Sequence, residues 1–102
     1  MPEETRKRLS LKWDEEAEEE WKEILTFYAI RNGSHTYSLK LDEELQKKLT
    51  TICNHPELGQ ETKREGIRRC GVARRFAVFY RFDSESVEIM DIVDARRNVP
   101  LD

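Results

Sequence analysis

Arginine side chains are concentrated in the second half of this 102-residue chain. Residues 62–82 carry seven basic side chains and one acidic one, a local charge of +6, and every base in this stretch except Lys63 is an arginine. The planar guanidinium group binds a phosphate or a carboxylate through two parallel hydrogen bonds. Arg96 and Arg97 add an adjacent pair later in the sequence. These residues predict a surface that binds an anionic partner.

The net charge of the whole chain does not reveal this surface. The 18 Lys and Arg residues against 21 Asp and Glu residues give −3, which by itself argues against a general nucleic-acid binder. Residues 14–23, however, hold seven acids and one base, Lys22, a local charge of −6. The chain is therefore charge-polarised. The acidic stretch is either a solvated helix face or a surface that orients the protein away from an anionic partner.

The cysteines and histidines do not have the spacing of a metal site. Cys53 and Cys70 form no CxxC pair, and His35 and His55 are not spaced with them as zinc ligands. Both cysteines are expected to be small, inert hydrophobic residues in a reducing cytosol. The apolar runs are far shorter than the ~20 residues of a membrane span, and the first residues do not form a secretory signal. We expect a cytoplasmic protein with no metal, no cofactor and no membrane association.

Two amphipathic helices are predicted in the first half of the chain. The first follows Asp14, an N-cap residue, and ends at Gly33, a C′ residue. The second follows Ser34 and ends near Asn54, because Pro56 disfavours α geometry at the residue before it. Their apolar stripes recur every three or four residues, at Ala17, Trp21, Ile24, Leu25 and Tyr28 and at Tyr37, Leu41, Leu45, Leu49 and Ile52. The short connection indicates an antiparallel helical hairpin.

Strands are predicted on either side of this hairpin. Alternating apolar residues indicate one strand over residues 8–13 and three later ones over 67–72, 76–82 and 87–93. Short connections make the last three antiparallel neighbours. In the last strand, Val87, Ile89 and Val93 are expected to share one face.

The predicted fold class follows from this order of elements. It is α+β, a strand, a helical hairpin and a three-stranded antiparallel meander, with the helices packed on one small sheet. A single domain is expected over residues 1–102, with flexible tails at 1–6 and 99–102.

Three ordered groups of residues carry a resemblance to a known family. The first is the strand–helix–helix opening. The second is His55-Pro56-Glu57-Leu58-Gly59 followed by Gly66-Ile67-Arg68, and the third is residues 79–83 and 87–98, ending in Asp94-Ala95-Arg96-Arg97-Asn98. From about residue 9 to residue 100 the chain resembles the RelE/ParE superfamily, the toxins of bacterial type II toxin–antitoxin modules. The ending is most similar to the ParE-like branch, although Val99 stands where that branch usually has proline.

The resemblance implies a growth-inhibiting toxin, of the kind associated with plasmid stabilisation, that is neutralised by a cognate antitoxin protein. ParE-like members trap DNA gyrase on DNA, and RelE-like members cleave mRNA on the ribosome without a metal. We favour the ParE-like function with DNA gyrase as target. The alternatives are a RelE-like mRNA interferase and a non-toxic relative that only binds antitoxin. Whether the protein is an enzyme and what oligomer it forms stay open.

Most nuclease positions of the RelE-like branch are replaced here. The resemblance places Arg68 and Cys70 where two catalytic lysines would stand, Ala77 where a strand arginine would stand, and Arg96 at the C-terminal arginine. No tyrosine follows Arg97. Arginine cannot serve as a base at neutral pH. The nuclease mechanism would therefore need substitutes.

Each residue that could substitute in the nuclease mechanism could instead have a purely structural role. Besides Arg68 and Arg96, the catalytic candidates are His55 or Glu57 as base and Tyr80 as acid. Tyr80 shares a strand face with apolar residues, which favours a packing role. His55 precedes a proline, which is typical of a turn residue, and Glu57 can cap or solvate that turn.

The residues assigned to target or antitoxin contact are Arg68, Arg69, Arg81, Arg96 and Arg97. Arg68 and Arg69 lie on opposite faces of one strand, so only one of them can lie on a given binding face. Arg81 has an alternative partner in Asp83 or Asp91 within the sheet. Arg96 and Arg97 have the alternative of a solvated tail.

Overall fold

The computed structural model describes residues 8–95, which form two helices and five strands. The elements are β1 (Ser10–Trp13), α1 (Glu15–Asn32), α2 (Thr36–Asn54), a 3₁₀ turn (Pro56–Leu58), β2 (Gln60–Glu61), β3 (Arg68–Val72), β4 (Phe76–Phe82) and β5 (Ser86–Asp94). Arg96, Arg97 and the predicted tails at 1–6 and 99–102 lie outside the described residues. Neither helix is long and apolar enough to cross a membrane.

The ends of α1 are set by the residues that the sequence indicates. The carboxylate of Asp14 accepts a hydrogen bond from the Glu16 amide at 3.1 Å, which satisfies one free N–H of the first turn. Gly33 adopts φ 66° and donates its N–H to the carbonyls of Ala29 and Ile30, a left-handed stop that suits glycine. Both predicted caps are confirmed.

The second helix ends at the predicted Asn54, but its N-cap is His35 rather than the predicted Ser34, and His35 makes no side-chain capping bond. The Ser34 hydroxyl accepts from the Thr36 amide at 3.1 Å. The two helices contact closely where Ser38 is buried, since its hydroxyl donates to the Leu25 carbonyl at 2.6 Å. The indole N–H of Trp21 donates to Asp42 at 2.9 Å. These bonds fix the hairpin as a unit.

The sheet is mixed and has the order β1-β5-β4-β3-β2. β3, β4 and β5 form the predicted antiparallel meander, and β1 is parallel to β5 with Ser10 opposite Ser86. β2 is antiparallel to β3. The sequence did not predict β2, because its two residues are polar and too few to show alternation.

An irregularity in β5 changes which residues reach the core. Phe79 pairs with Asp91 but Tyr80 pairs with Ile89, so Met90 is an extra residue in β5. The bulge shifts the alternation by one residue. Ile92 therefore joins Val87 and Ile89 at 0% exposure, whereas Val93 is only half-buried. The prediction that Val93 shares the buried face was wrong, because strict period two does not continue through a bulge.

The helices cover one face of the sheet and form the core with it. The ring of Trp21 meets that of Phe76 edge-on, with centroids 5.5 Å apart. The largest fully buried side chains belong to α2, β4 and β5, namely Tyr80, Phe76, Leu45, Leu49, Ile52, Ile89 and Ile92. The opposite face of the sheet is not covered by any described element.

Candidate functional site

The turn at residues 55–59 is held by two side chains from neighbouring strands. Arg68 on β3 donates from Nη1 to the Gly59 carbonyl at 2.7 Å and to the Glu57 carbonyl at 3.3 Å. Tyr80 on β4 is directly opposite Arg68 in the sheet register. We call Arg68 and Tyr80 the turn clamp, because both bond to the backbone of this turn.

The Tyr80 hydroxyl makes one donated and one accepted hydrogen bond, both with the backbone of this turn. It donates to the Pro56 carbonyl at 2.7 Å and accepts from the Gly59 N–H at 2.8 Å. The side chain is 0% exposed, and burial raises the pKa of Tyr80. A buried hydroxyl with both bonds made to backbone has a structural role, which agrees with the packing role that its alternation favours.

The turn clamp brings four of the predicted site residues to one place. His55 and Glu57 are exposed on either side of Pro56, Arg68 is 22% exposed, and Tyr80 lies beneath them. Arg68 also approaches the Glu61 carboxylate at 3.5 Å. The Arg68 guanidinium therefore binds backbone carbonyls of the turn and the Glu61 carboxylate, and it does not extend into solvent toward a partner.

The uncovered face of the sheet carries the other predicted arginine of β3 together with Arg81. We call it the open face. Arg69 lies in a register row with Phe79 and Asp91, and Arg81 lies in a row with Glu88 and Lys12. The face therefore presents three cations beside a half-buried aromatic ring. Arg68 and Arg69 lie on opposite faces as predicted.

Arg81 pairs with a residue that its position in the sequence did not indicate. Its Nη2 and Nε both lie near Oε1 of Glu88, at 2.9 Å and 3.1 Å. The suggested partners Asp83 and Asp91 were wrong. Asp83 accepts from the amides of Glu85 and Ser86 to close the β4–β5 turn, and Asp91 accepts from the Ile92 amide at the bulge. Residues directly opposite each other on paired strands lie close enough to form ion pairs, and only the strand register shows which residues these are.

Two of the positions that match the nuclease set hold buried side chains that present no acid–base group to the surface. Cys70 is buried, and that burial raises the pKa of its thiol. Ala77 is at 0% exposure. Cys53 is also buried with its pKa raised by burial, and both cysteines are free thiols. Among residues 8–95, no cluster of three or more His, Cys, Asp or Glu side chains could hold a metal ion.

A second polar cluster lies where β5 ends, and it was not predicted from the sequence. Arg75 Nε is 3.9 Å from the Asp94 carboxylate, and Tyr28 donates to the same carboxylate at 3.5 Å. The Arg75 guanidinium carbon is 5.0 Å from the centroid of the Tyr28 ring. These contacts join residues up to 66 positions apart. No local spacing could have indicated them.

Comparisons with known proteins agree with this geometry. Residues 11–99 match the sequence model of a family described as the ParE toxin of the type II toxin–antitoxin system parDE. The structure is similar to a chain of the chromosomal ParDE toxin–antitoxin system of P. aeruginosa, with a TM-score of 0.74 at 20% identity over 85% of this chain and 96% of that chain.

A second solved structure is similar to a lesser degree. It is the E. coli DinJ–YafQ toxin–antitoxin complex, with a TM-score of 0.48 at 10% identity over 88% of this chain and 96% of that chain. No curated protein sequence matches this chain. The P. aeruginosa structure confirms the predicted α+β fold.

Proposed function

The chain belongs to the ParE toxin family of type II toxin–antitoxin systems, and from this premise we propose that it inhibits growth by binding DNA gyrase and is neutralised by a cognate antitoxin. Residues 11–99 carry the family match, so the match includes the turn clamp, the open face and Arg96-Arg97.

One observation supports binding over RNA cleavage. The positions where RelE-like nucleases place a second lysine and a strand arginine hold the buried side chains of Cys70 and Ala77, and Arg68 is bonded to turn carbonyls. Cleavage would need a base beside the attacking hydroxyl and a donor for the leaving oxygen. The buried Tyr80 hydroxyl already bonds to the Pro56 carbonyl and the Gly59 N–H.

The open face supplies the contacts for the proposed binding. Arg69 and Arg81 are exposed there, and guanidinium groups suit the phosphates and carboxylates of a gyrase–DNA complex. Arg81 is 57% exposed although it pairs with Glu88. An exposed ion pair of this kind is worth little, so Arg81 can exchange Glu88 for a stronger acceptor.

Supercoiling and cleavage-complex assays with purified gyrase test this proposal. The wild-type chain is expected to inhibit supercoiling and to accumulate cleaved DNA. Arg69→Gln with Arg81→Gln should raise the inhibitory concentration roughly 10- to 100-fold, the range for losing charged hydrogen bonds. Lys63→Gln with Arg64→Gln removes the same charge from the exposed loop between β2 and β3, outside the strands that form the open face, and should change the inhibitory concentration by less than about threefold.

Three results would contradict growth inhibition through gyrase. Gyrase unaffected by the wild-type chain would remove gyrase as the target. Codon-phased transcript cleavage after induction would replace binding with ribosome-dependent RNA cleavage. Normal growth after expression without antitoxin would indicate a relative that retains only antitoxin binding. A pull-down with the product of the adjacent small gene tests the antitoxin separately, and no capture would contradict neutralisation.

A further inference from the structure

The turn between β3 and β4 has a backbone conformation that its residues disfavour. Ala73 and Arg74 adopt φ values of 57° and 59°, the left-handed region in which most side chains are uncommon. A hydrogen bond from the Arg75 N–H to the Val72 carbonyl closes the turn at 3.1 Å. Turns with positive φ at both central residues favour asparagine and glycine. Arg74 therefore stands where glycine would be less strained.

Arg74 has no structural partner that would explain this strain. Ala73 beside it is half-buried and packs on the core, whereas Arg74 is exposed. Within residues 8–95, the Arg74 guanidinium makes no hydrogen bond and no ion pair. Residues held in costly backbone conformations concentrate at functional sites. The strain and the free guanidinium together indicate that Arg74 contacts a partner.

A glycine on the open face also lacks a structural explanation. Gly71 is an exposed residue of β3, and its φ is not positive. A Cβ at this position would meet only the Phe76 carbonyl oxygen, at 3.9 Å, so neither packing nor backbone conformation requires glycine. Glycine inside a strand often marks a place where a ligand or another backbone approaches closely. Gly71 leaves such room on the open face between Arg69 and the turn.

The arginines beside this room lie along one line of the sheet. Arg81 is near the end of β4 that is remote from the turn, and Arg69 is opposite Phe79, two residues away. At about 3.4 Å per residue, Arg81 lies about 7 Å from the row of Arg69 and about 17 Å from Phe76, where the turn ends. Arg74 extends the line beyond that point. A line of guanidinium groups fits a linear polyanion.

The acids of the open face leave these arginines available. Glu88 pairs with Arg81 at 2.9 Å, and the Asp91 carboxylate accepts from the Ile92 amide at 2.9 Å. Among residues 8–95, Arg69, like Arg74, has no ion-pair partner. A phosphate binds a guanidinium through two parallel hydrogen bonds. Two of the three arginines can therefore take a phosphate without losing another contact.

We propose that the open face and Arg74 bind the phosphate backbone of DNA directly, with phosphates at Arg74, Arg69 and Arg81 and one strand passing over Gly71. The inference rests on the proposed function for the choice of nucleic acid, because the DNA is the DNA that gyrase holds. It adds that the chain contacts this DNA itself and not only the enzyme. Arg74 and Gly71 do not belong to the contact residues that the sequence indicated.

Fluorescence anisotropy of a labelled DNA duplex mixed with the purified full chain tests the contact without gyrase. The dissociation constant should be roughly 1–100 µM at physiological salt, with a slope of log K against log salt of about −2.7 for three phosphates. Arg74→Gln should weaken binding roughly 3- to 10-fold and reduce the slope by about 1. Lys63→Gln with Arg64→Gln, in the loop between β2 and β3, is the control and should change the dissociation constant less than about twofold.

Two variants separate DNA contact from a structural role or a diffuse charge effect. Arg74→Gly should weaken DNA binding as Arg74→Gln does, although it relieves the positive φ and should raise the urea midpoint. Gly71→Thr adds an uncharged side chain where a Cβ fits. It should weaken DNA binding at least about threefold and leave the salt slope unchanged, because it blocks the approach of the strand without removing a charge. Circular dichroism confirms that each variant is folded.

Four outcomes would overturn the inference. They are no saturable DNA binding by the wild-type chain, an equal loss in the Lys63 and Arg64 control, unchanged binding by Gly71→Thr, and binding of an RNA duplex at least as tight as that of DNA. Gyrase inhibition by a chain that binds no DNA would assign the open face to an acidic protein surface and leave the proposed function intact. DNA binding without an effect on gyrase would instead contradict only the proposed function.

Discussion

Tyr80 shows how one hydroxyl can hold a loop without a catalytic role. Its oxygen bonds to the Pro56 carbonyl and to the Gly59 N–H. Tyr80→Phe keeps the buried ring but leaves both backbone groups without a partner. The free energy of unfolding should fall by about 1–3 kcal/mol, the usual penalty for an unsatisfied buried polar group. Urea unfolding at neutral pH measures this.

A tyrosine with a different environment supplies the control. Tyr37 is half-buried, and its hydroxyl makes no hydrogen bond within the part of the chain that the structure describes. Tyr37→Phe should therefore change the free energy of unfolding by less than about 0.5 kcal/mol. Equal losses for the two variants would contradict the role assigned to the turn clamp.

The buried thiols and Tyr80 also predict how stability depends on pH. Burial raises the pKa of Cys53, of Cys70 and of Tyr80 above its unfolded value. A group with a raised pKa stabilises the fold fully below its unfolded value, and this contribution is lost as pH rises through the folded value. The free energy of unfolding should therefore fall as pH rises through the alkaline range above about 8.5, where unfolded thiols ionise.

Urea unfolding between pH 7.5 and 10.5 measures this dependence. Cys53→Ala with Cys70→Ala removes both thiols, so the alkaline slope should become shallower although the variant is less stable at every pH. An identical slope in this variant would show that the thiols are not the groups that titrate.

The sequence predicted the sheet face on which a side chain lies more reliably than it predicted the residue that the side chain contacts. Tyr80 was placed on the apolar face from its alternation with Phe76, Val78 and Phe82, and it is buried. Arg81 was matched to the wrong acids, because its partner Glu88 lies opposite it only through the register of β4 and β5. Alternation within one strand is visible in the sequence, and alignment between strands is not.

The 55–59 turn depends on close backbone approach at Gly59. A Cβ placed there would lie 2.7 Å from the Tyr80 hydroxyl oxygen and 2.9 Å from the Arg69 carbonyl oxygen. Gly59→Ala therefore has to displace the turn from β3 and β4. We expect a loss of about 1–3 kcal/mol in the free energy of unfolding, as for other overpacked sites.

Gly71 is the matched control for this substitution. A Cβ there meets only the Phe76 carbonyl oxygen at 3.9 Å, which is an ordinary contact on the open face. Gly71→Ala should be neutral or slightly stabilising, because alanine restricts the unfolded chain more than glycine does. If Gly59→Ala were tolerated as well as Gly71→Ala, the close packing of this turn would be wrong.

Elements with strong local signals were predictable, and elements set by pairing were not. The caps of α1 and the apolar stripe of α2 are encoded in adjacent residues, so their bounds followed from the sequence. The bulge at Met90 has no local signature except that Asp91 interrupts an apolar run. β2 exists because the turn clamp brings Gln60 opposite Arg69, which is a consequence of tertiary contacts.

At the scale of the whole molecule, the charge segregation of the sequence becomes a segregation of surfaces. The acids of α1 lie on the helical side, whereas Arg69, Arg81 and Lys12 lie on the open face. Segregated charge steers an anionic partner toward one side of a protein. The net charge of −3 therefore does not argue against such a partner.

We expect β1 and β5, the first and last strands of the described fold, to pair only after the rest of the chain has folded, and kinetics can test this order. The helical hairpin and the β3–β4–β5 meander are joined by short connections. The β1–β5 pair instead joins Ser10 to Ser86, and closing so long a loop costs entropy before its contacts form.

Leu9→Ala, which truncates a side chain packed on the core, should therefore speed unfolding and leave the folding rate nearly unchanged. Val78→Ala, in the centre of the meander, should instead lower the folding rate, and most of its loss in the free energy of unfolding should appear in that rate. Stopped-flow chevron plots give the φ-value of each variant, which is the change in the free energy of activation for folding divided by the change in the free energy of unfolding. A folding rate that falls as steeply with Leu9→Ala as with Val78→Ala would show that β1 pairs with β5 before the transition state.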